Sequence, residues 1–195
     1  MSKNRLCAVL LVAAIAFVLP GTSAAQRSSA ADLQAMIDDT QPGALLEIPF
    51  DVYYGAVTID KPLHLKGLPA EDGRLPVIDG LGTGTVVTII ADEATVEGFE
   101  IRASGNVIDN EDGGIVVEHA QNVRLLNNRL TDVLYGIRGV EASGLQVIGN
   151  HITGKDLHIA RRGDSIRIWQ SENCLVEDNF VEAARDAIFW FSDNT

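Results

Sequence analysis

From residue 86 onward the apolar residues fall on alternate positions in short bursts, and the bursts return at fixed distances. Val86, Ile115, Ile137, Ile166 and Ile188 open equivalent bursts at spacings of 29, 22, 29 and 22 residues. A second set keeps its own offsets: Ala94-Thr95-Val96, Val123-Arg124-Leu125, Leu145-Gln146-Val147 and Cys174-Leu175-Val176. Five residues after each comes Ile101, Leu130, Ile152 or Val181. Period-two alternation predicts strands, and their recurrence predicts one structural unit per repeat. The seven additional residues of the long repeats fall in "SGNVIDNEDG" and "GKDLHIARRGD", which read as loops leaving one edge.

Asn128, Asn150 and Asn179 share one repeat position. Asn tolerates the left-handed backbone of a tight corner and can hydrogen-bond to its own kind in the next repeat. Short strands at this period with Asn at a corner predict an all-β solenoid, a single-stranded parallel β-helix rising about 4.8 Å per coil. A β-sandwich would need hairpin turns between adjacent strands, and "EDGG" alone has that character. Ahead of the coils, "SSAADLQAMIDDTQPG" places Ser29 three residues before Asp32, a variant capping box, and Leu33, Met36 and Ile37 on one helical face. A solenoid end exposes its core, so this short helix is expected to be the N-terminal cap. "VYYGAVTIDKPLHLKG" then lays down the first coil, with Gly55 and Gly67 as turns.

The first 25 residues form a secretory signal: Lys3 and Arg5, an apolar run from Leu6 to Leu19, then small residues up to a cut after Ala25. The run is short for a membrane span, which needs about 20 residues. The expected organisation is signal peptide 1–25, capping segment 26–43 and β-helix 44–195, with no span left after cleavage. The signal carries two of the 15 basic residues and none of the 27 acidic ones, so the mature chain balances 13 against 27, or −14. Such a chain has nothing to grip a nucleic acid backbone. With Cys7 lost in the signal, Cys174 stands alone and no internal disulfide can form. It shares the inward column of Val123 and Leu145 and reads as a small buried hydrophobe. The last repeat breaks off at Thr195, which predicts further coils in the parent reading frame and end-to-end association through Ile188 and Trp190.

Candidate chemistry follows from the alternation. With Ile166 and Ile168 inward, Arg167 and Trp169 face out; one coil on, Phe189 and Phe191 face out, and Arg138 joins the Arg167 column. The strip Arg138, Arg167, Trp169, Phe189 and Phe191 is a candidate binding surface for a sugar, an acidic partner or another protein. Asp164 and Asp186 stack at one corner with Arg162 and Arg185 nearby. These four are the candidate catalytic set if the chain cleaves polysaccharides, and a structural charge ladder if it does not. Arg162-Gly163-Asp164 spells an adhesion tripeptide but reads as a turn entering a strand. His119, His151 and His158 are the metal candidates; His64 is remote, and no His-x-x-His or Met-rich tract accompanies them.

"YYGAVTIDKPLHLKG", "VIDGLGTGTVVTIIADEATVEGFEI" and above all "RRGDSIRIWQSENCLVEDN" followed by "RDAIFWFSDN" resemble the NosD-type periplasmic accessory proteins of nitrous oxide reductase. The resemblance covers residues 44–195. It implies a right-handed β-helix in the periplasm that acts without catalysis, alongside an ABC transporter, in maturing the reductase's copper-sulfur centre. No bound cofactor is assigned to the chain itself, copper being the one candidate, and exposed, unliganded histidines are the default expectation. Typical members continue into further coils and a C-terminal part, so a docking surface located there does not carry over. A carbohydrate-binding or polysaccharide-cleaving β-helix is the alternative expectation.

Overall fold

The computed structural model describes residues 30–191. Eighteen short strands wind through six coils. The first coil holds β1 (Leu45–Ile48), β2 (Val52–Tyr54) and β3 (Val57–Ile59), and the second β4 (His64–Gly67), β5 (Val77–Asp79) and β6 (Val87–Ile89). The third holds β7 (Thr95–Glu97), β8 (Glu100–Arg102) and β9 (Gly113–Glu118), and the fourth β10 (Arg124–Leu126), β11 (Arg129–Val133) and β12 (Tyr135–Val140). The fifth holds β13 (Gln146–Ile148), β14 (His151–Gly154) and β15 (Ile166–Trp169), and the sixth β16 (Leu175–Glu177), β17 (Phe180–Glu182) and β18 (Ile188–Phe191). Each strand pairs in parallel with the strand one coil away. Three parallel sheets therefore run the length of a right-handed solenoid: one from β1 to β16, one from β2 to β17 and one from β3 to β18.

The alternation explains why the coils stack. Ile115, Ile137, Ile166 and Ile188 are cross-strand neighbours in successive coils, as their spacing predicts. The inward rows of the three sheets meet in one continuous core, in which Ile59, Ile89, Val96, Val117, Leu125 and Ile168 are inaccessible to solvent. One coil departs from the expected phase. Val87, not Val86, pairs with Ile115, so that spacing is 28 residues (115 − 87), not 29. In "VVTII" every position but Thr88 is apolar and the phase is not legible. Burial of Val87 and Ile89, with Thr88 turned out and Ile90 exposed, decides it.

Asn128, Asn150 and Asn179 form the expected ladder at the corner between the first and second sheets, the first two buried and Asn179 half-buried. Asn128 Nδ2 donates to Asn150 Oδ1 at 3.1 Å, and Asn150 Nδ2 donates to Asn179 Oδ1 at 3.0 Å. The same oxygens accept the backbone N–H of Asn128 (3.0 Å) and of Asn150 (2.9 Å). Asn128 Oδ1 in turn accepts the N–H of Phe99, where the ladder ends. The left-handed backbone lies one residue earlier than expected, at Gly98, Asn127, Gly149 and Asp178, with φ between 53° and 75°. The ladder Asn is there for its two-sided amide, and its predecessor makes the bend.

Helix α1 (Ala30–Asp39) packs on β2 and β3, with Leu33 and Ile37 fully buried. Met36, expected on that face, is 41% exposed: the first coil is narrow enough to be covered by one turn-to-turn pair of side chains. Gln34 completes the cap. Its Oε1 accepts the Thr58 N–H at 2.7 Å and its Nε2 donates to the Thr58 carbonyl at 3.0 Å, so open strand backbone in β3 is satisfied by a side chain. Ser29 and the signal segment lie outside the described residues. At the other end Ile188 and Trp190 point inward as expected, yet they are 50% and 46% exposed, since no described coil overlies them.

Candidate functional site

Both long repeats place their additional residues at the corner where the second sheet gives way to the third. The earlier loop carries a one-turn 3-10 helix at Ile108–Asn110. Three hydrogen bonds pin it: Val107 N–H to Asp112 Oδ2 (3.0 Å), Gly105 N–H to the Gly84 carbonyl (2.8 Å) and Leu134 N–H to Ser104 Oγ (2.9 Å). The turn closes at Glu111, whose left-handed backbone (φ 51°) hooks its side chain back over β12 and β15.

That hook brings one carboxylate against two guanidinium groups. Glu111 Oε2 pairs with Arg138 Nη2, Oε1 pairs with Arg167 Nη1 at 2.6 Å, and the Glu111 carbonyl accepts from Arg138 Nη1 at 3.2 Å. Arg138 and Arg167 are cross-strand neighbours, as the alternation predicts. Arg138 is only 10% exposed at its side chain, and its Nε has no partner. The guanidinium carbon of Arg167 lies 5.4 Å from the Trp169 ring, 5.5 Å from Phe189 and 5.8 Å from Tyr135, within cation–π range of all three. Trp169 stacks on Phe191 at 4.5 Å and lies nearly parallel to Phe189 at 6.4 Å.

The stack stops abruptly. Along the outward column Phe191, Trp169, Val140 and Glu118 follow one another coil by coil, and Val140 is too short to continue it. Beside it opens a cavity of about 280 Å3, lined by Glu111, Arg138, Val140, Arg167 and Trp169. The five residues of the binding strip are thus brought onto one face. Glu111, Tyr135 and Val140 were not legible as members. Glu111 sits in a loop beyond the reach of strand alternation, Tyr135 precedes a Gly in an apolar stretch, and Val140 matters only for what it leaves empty.

Of the catalytic candidates, three converge. Arg185 Nη2 donates to Asp164 Oδ1 at 2.8 Å, and its Nε reaches Asp186 Oδ2 at 3.3 Å. Arg162 turns away, donating to the Leu157 carbonyl at 2.6 Å. The Asp164 side chain is wholly buried and its Oδ2 has no partner; the neighbouring Ser165 hydroxyl is likewise buried and unpartnered. Burial holds the Asp164 carboxyl above its ordinary range, with Arg185 pulling the other way and Asp186 adding to the rise. Asp186 is exposed. The arrangement is a corner clamp, not a pair of carboxylates facing a common substrate. It also buries the adhesion tripeptide: Gly163 and Asp164 are both enclosed.

The histidines stay apart. His119 Nδ1 lies 3.2 Å from Glu141 Oε2, the His151 ring packs 4.5 Å from Phe180, and His158 Nδ1 accepts the Ala160 N–H at 3.3 Å, capping the 3-10 turn Ile159–Arg161. His64 pairs with Glu97 at 2.9 Å. Among the described residues no three His, Cys, Asp or Glu side chains gather as a metal ion would require. Cys174 points inward but stays partly accessible; its thiol lies 3.5 Å from the Ala142 and Glu172 carbonyls, and burial pushes its pKa up.

Coils of three short parallel strands, stacked asparagines and an aromatic, arginine-bearing outer sheet define a class of solenoid proteins, and residues 89–195 match the family described as "Right handed beta helix region". The chain belongs to that family. NosD of Pseudomonas aeruginosa, named "Probable ABC transporter binding protein NosD", is 32% identical over 136 residues, which is 69% of this chain and 31% of that protein. This chain therefore spans about a third of the length of that relative. Among solved structures, an alginate lyase from Paenibacillus sp. str. FPU-7 follows the same path, with a TM-score of 0.67 over 80% of this chain and 57% of its own, at 14% identity. That likeness is one of fold. A pectin methylesterase bound to a hexasaccharide reaches a TM-score of 0.40 at 14% identity over 72% of this chain and 61% of its own, too little to carry an argument. No helix among the described residues is long and apolar enough to cross a membrane.

Proposed function

We propose that this chain is a non-catalytic accessory protein of the periplasm that works with an ABC transporter in maturing the copper-sulfur centre of nitrous oxide reductase. The observation that carries the reading is the 32% identity over 136 residues to NosD, 69% of this chain. The chemistry of the outer sheet supports recognition over turnover. Its two arginines share the Glu111 carboxylate, its aromatics form a shelf, and the Asp164 carboxyl is buried behind Arg185.

The test is genetic and spectroscopic. Removing the gene in its native host should leave nitrous oxide reductase lacking the absorption of its copper-sulfur centre, and the wild-type gene should restore it. Arg167→Glu, which reverses the charge of the outer sheet, should fail to restore it while the variant protein accumulates normally. Incubation of the purified protein with alginate or pectate should release no unsaturated or shortened products. Turnover abolished by Asp164→Asn would overturn the proposal in favour of a polysaccharide-cleaving role.

A further inference from the structure

The notch beside Val140 is built like a binding site whose natural occupant is a ring carrying a carboxylate. We propose that it takes one six-membered ring, packed against Trp169 where that side chain lines the notch, whose carboxylate displaces Glu111 from Arg138 and Arg167. This deepens the reading of the outer sheet as a recognition surface and rests on it.

Four observations converge. The stack Phe191–Trp169 is interrupted at Val140, where the column of outward side chains leaves a gap instead of a third ring. Successive coils are about 4.8 Å apart, so a missing ring leaves a slot one ring thick. The cavity, about 280 Å3, is at the small end for ligand sites and suits one ring with its substituents, not a run of them. Two guanidinium groups share a single carboxylate there, and among the described residues no ion pair joins Glu118, the next acid in the column, to either of them. The site is therefore left with one positive charge in excess on a strongly acidic chain. Finally, the side chain of Arg138 is nine-tenths buried with its Nε unpartnered, a donor held out of water without an acceptor.

Glu111 behaves as a resident stand-in. Its two oxygens are divided between the two arginines, the bridging arrangement that a ligand carboxylate would adopt in its place. It sits at the end of a loop held from behind by Asp112 and Ser104, so its side chain can swing out while the loop stays anchored. The competition sets a sign that a merely structural role for Glu111 would not produce: weakening Glu111 should strengthen ligand binding.

The experiment uses the full chain and two probe families, galacturonate and its short oligomers for sugar rings and benzoate for aromatic rings, each against an uncharged counterpart. Binding is read by calorimetry and ligand-observed NMR. We expect saturable binding of at least one carboxylate probe and at least tenfold weaker binding of its neutral analogue. Glu111→Gln should tighten binding at least fivefold and Arg167→Gln should weaken it at least tenfold. Val140→Phe fills the slot from within while leaving both arginines and Glu111 in place; it should abolish binding with an unchanged melting profile. Absence of binding by both carboxylate families up to tens of millimolar, weaker binding in Glu111→Gln, or full binding in Val140→Phe would each overturn the proposal. The recognition reading itself is tested by restoration of the reductase centre, so the two can fail separately.

Discussion

Replacing Asn150 with Ala tests the asparagine ladder at its central rung. Asn150 is buried, and its amide serves three coils at once. Its oxygen accepts the Asn128 N–H (3.0 Å) and Asn128 Nδ2 (3.1 Å), while its Nδ2 donates to the Leu125 carbonyl (2.9 Å) and Asn179 Oδ1 (3.0 Å). After truncation Asn128 Nδ2 still holds the Val96 carbonyl, and Asn179 Oδ1 still holds the Asn150 N–H. The Asn128 N–H, however, loses its acceptor in a place water does not reach. An orphaned buried group costs about 1–3 kcal/mol, and with the small void left behind the sum is about 3 kcal/mol. For a chain of this size that lowers Tm by about 6–12 °C. Asn179, in the sixth coil, is only half-buried, so water can replace its amide and Asn179→Ala should cost clearly less. The assay is thermal unfolding followed by circular dichroism. A shift below 2 °C for Asn150→Ala, or equal shifts for the two variants, would refute the claim that the ladder is a buried, mutually satisfied network.

Two further outcomes are expected. Gly136→Ala should lose about 1–3 kcal/mol in urea unfolding, because a Cβ there runs into the Ser165 carbonyl oxygen and comes within 2.6 Å of the Ile152 side chain, and neither backbone nor core can give way; an unchanged midpoint would show that β12 and the next coil are less tightly apposed than described. Asp164 titrates above its ordinary range because it is buried. The folded state therefore binds its proton more tightly than the unfolded chain does, and the group's contribution to stability falls as pH rises from the ordinary carboxylate range through the raised value. Asp164→Asn should compare better with wild type at pH 7 than at pH 4; the reverse order in paired melts would mean that attraction to Arg185 outweighs desolvation.

Much of this architecture is written in local pattern. Period-two alternation at 22-residue spacing is enough to specify parallel coils, since a residue's inward or outward sense is decided by its own strand and copied into the next coil by hydrogen-bonded register. That is why the alternation alone places Arg138, Arg167, Trp169, Phe189 and Phe191 on one face. The phase of "VVTII" could not be read, because five nearly uniform apolar positions carry no alternation and only packing against Ile59 and Val117 chooses between them. The fate of the corner acids was also open. Asp164 is buried because the sixth coil, with Arg185, overlies it, whereas no described coil overlies Asp186.

The site depends on tertiary structure most of all. Glu111 and Arg167 are 56 residues apart and belong to a loop and a strand two coils removed. Loop conformation follows no repeat, so nothing in the alternation says that this carboxylate returns to the sheet. The notch is a relation between neighbours: Val140 is unremarkable in its own strand and becomes a gap only because Trp169 lies above it. Sequence determined the coil, the core and the direction each side chain faces, because these follow from short-range periodicity. Which faces became a site was decided by the loop that closes over them and by the size of one side chain relative to the next, both of which exist only once the coils are stacked.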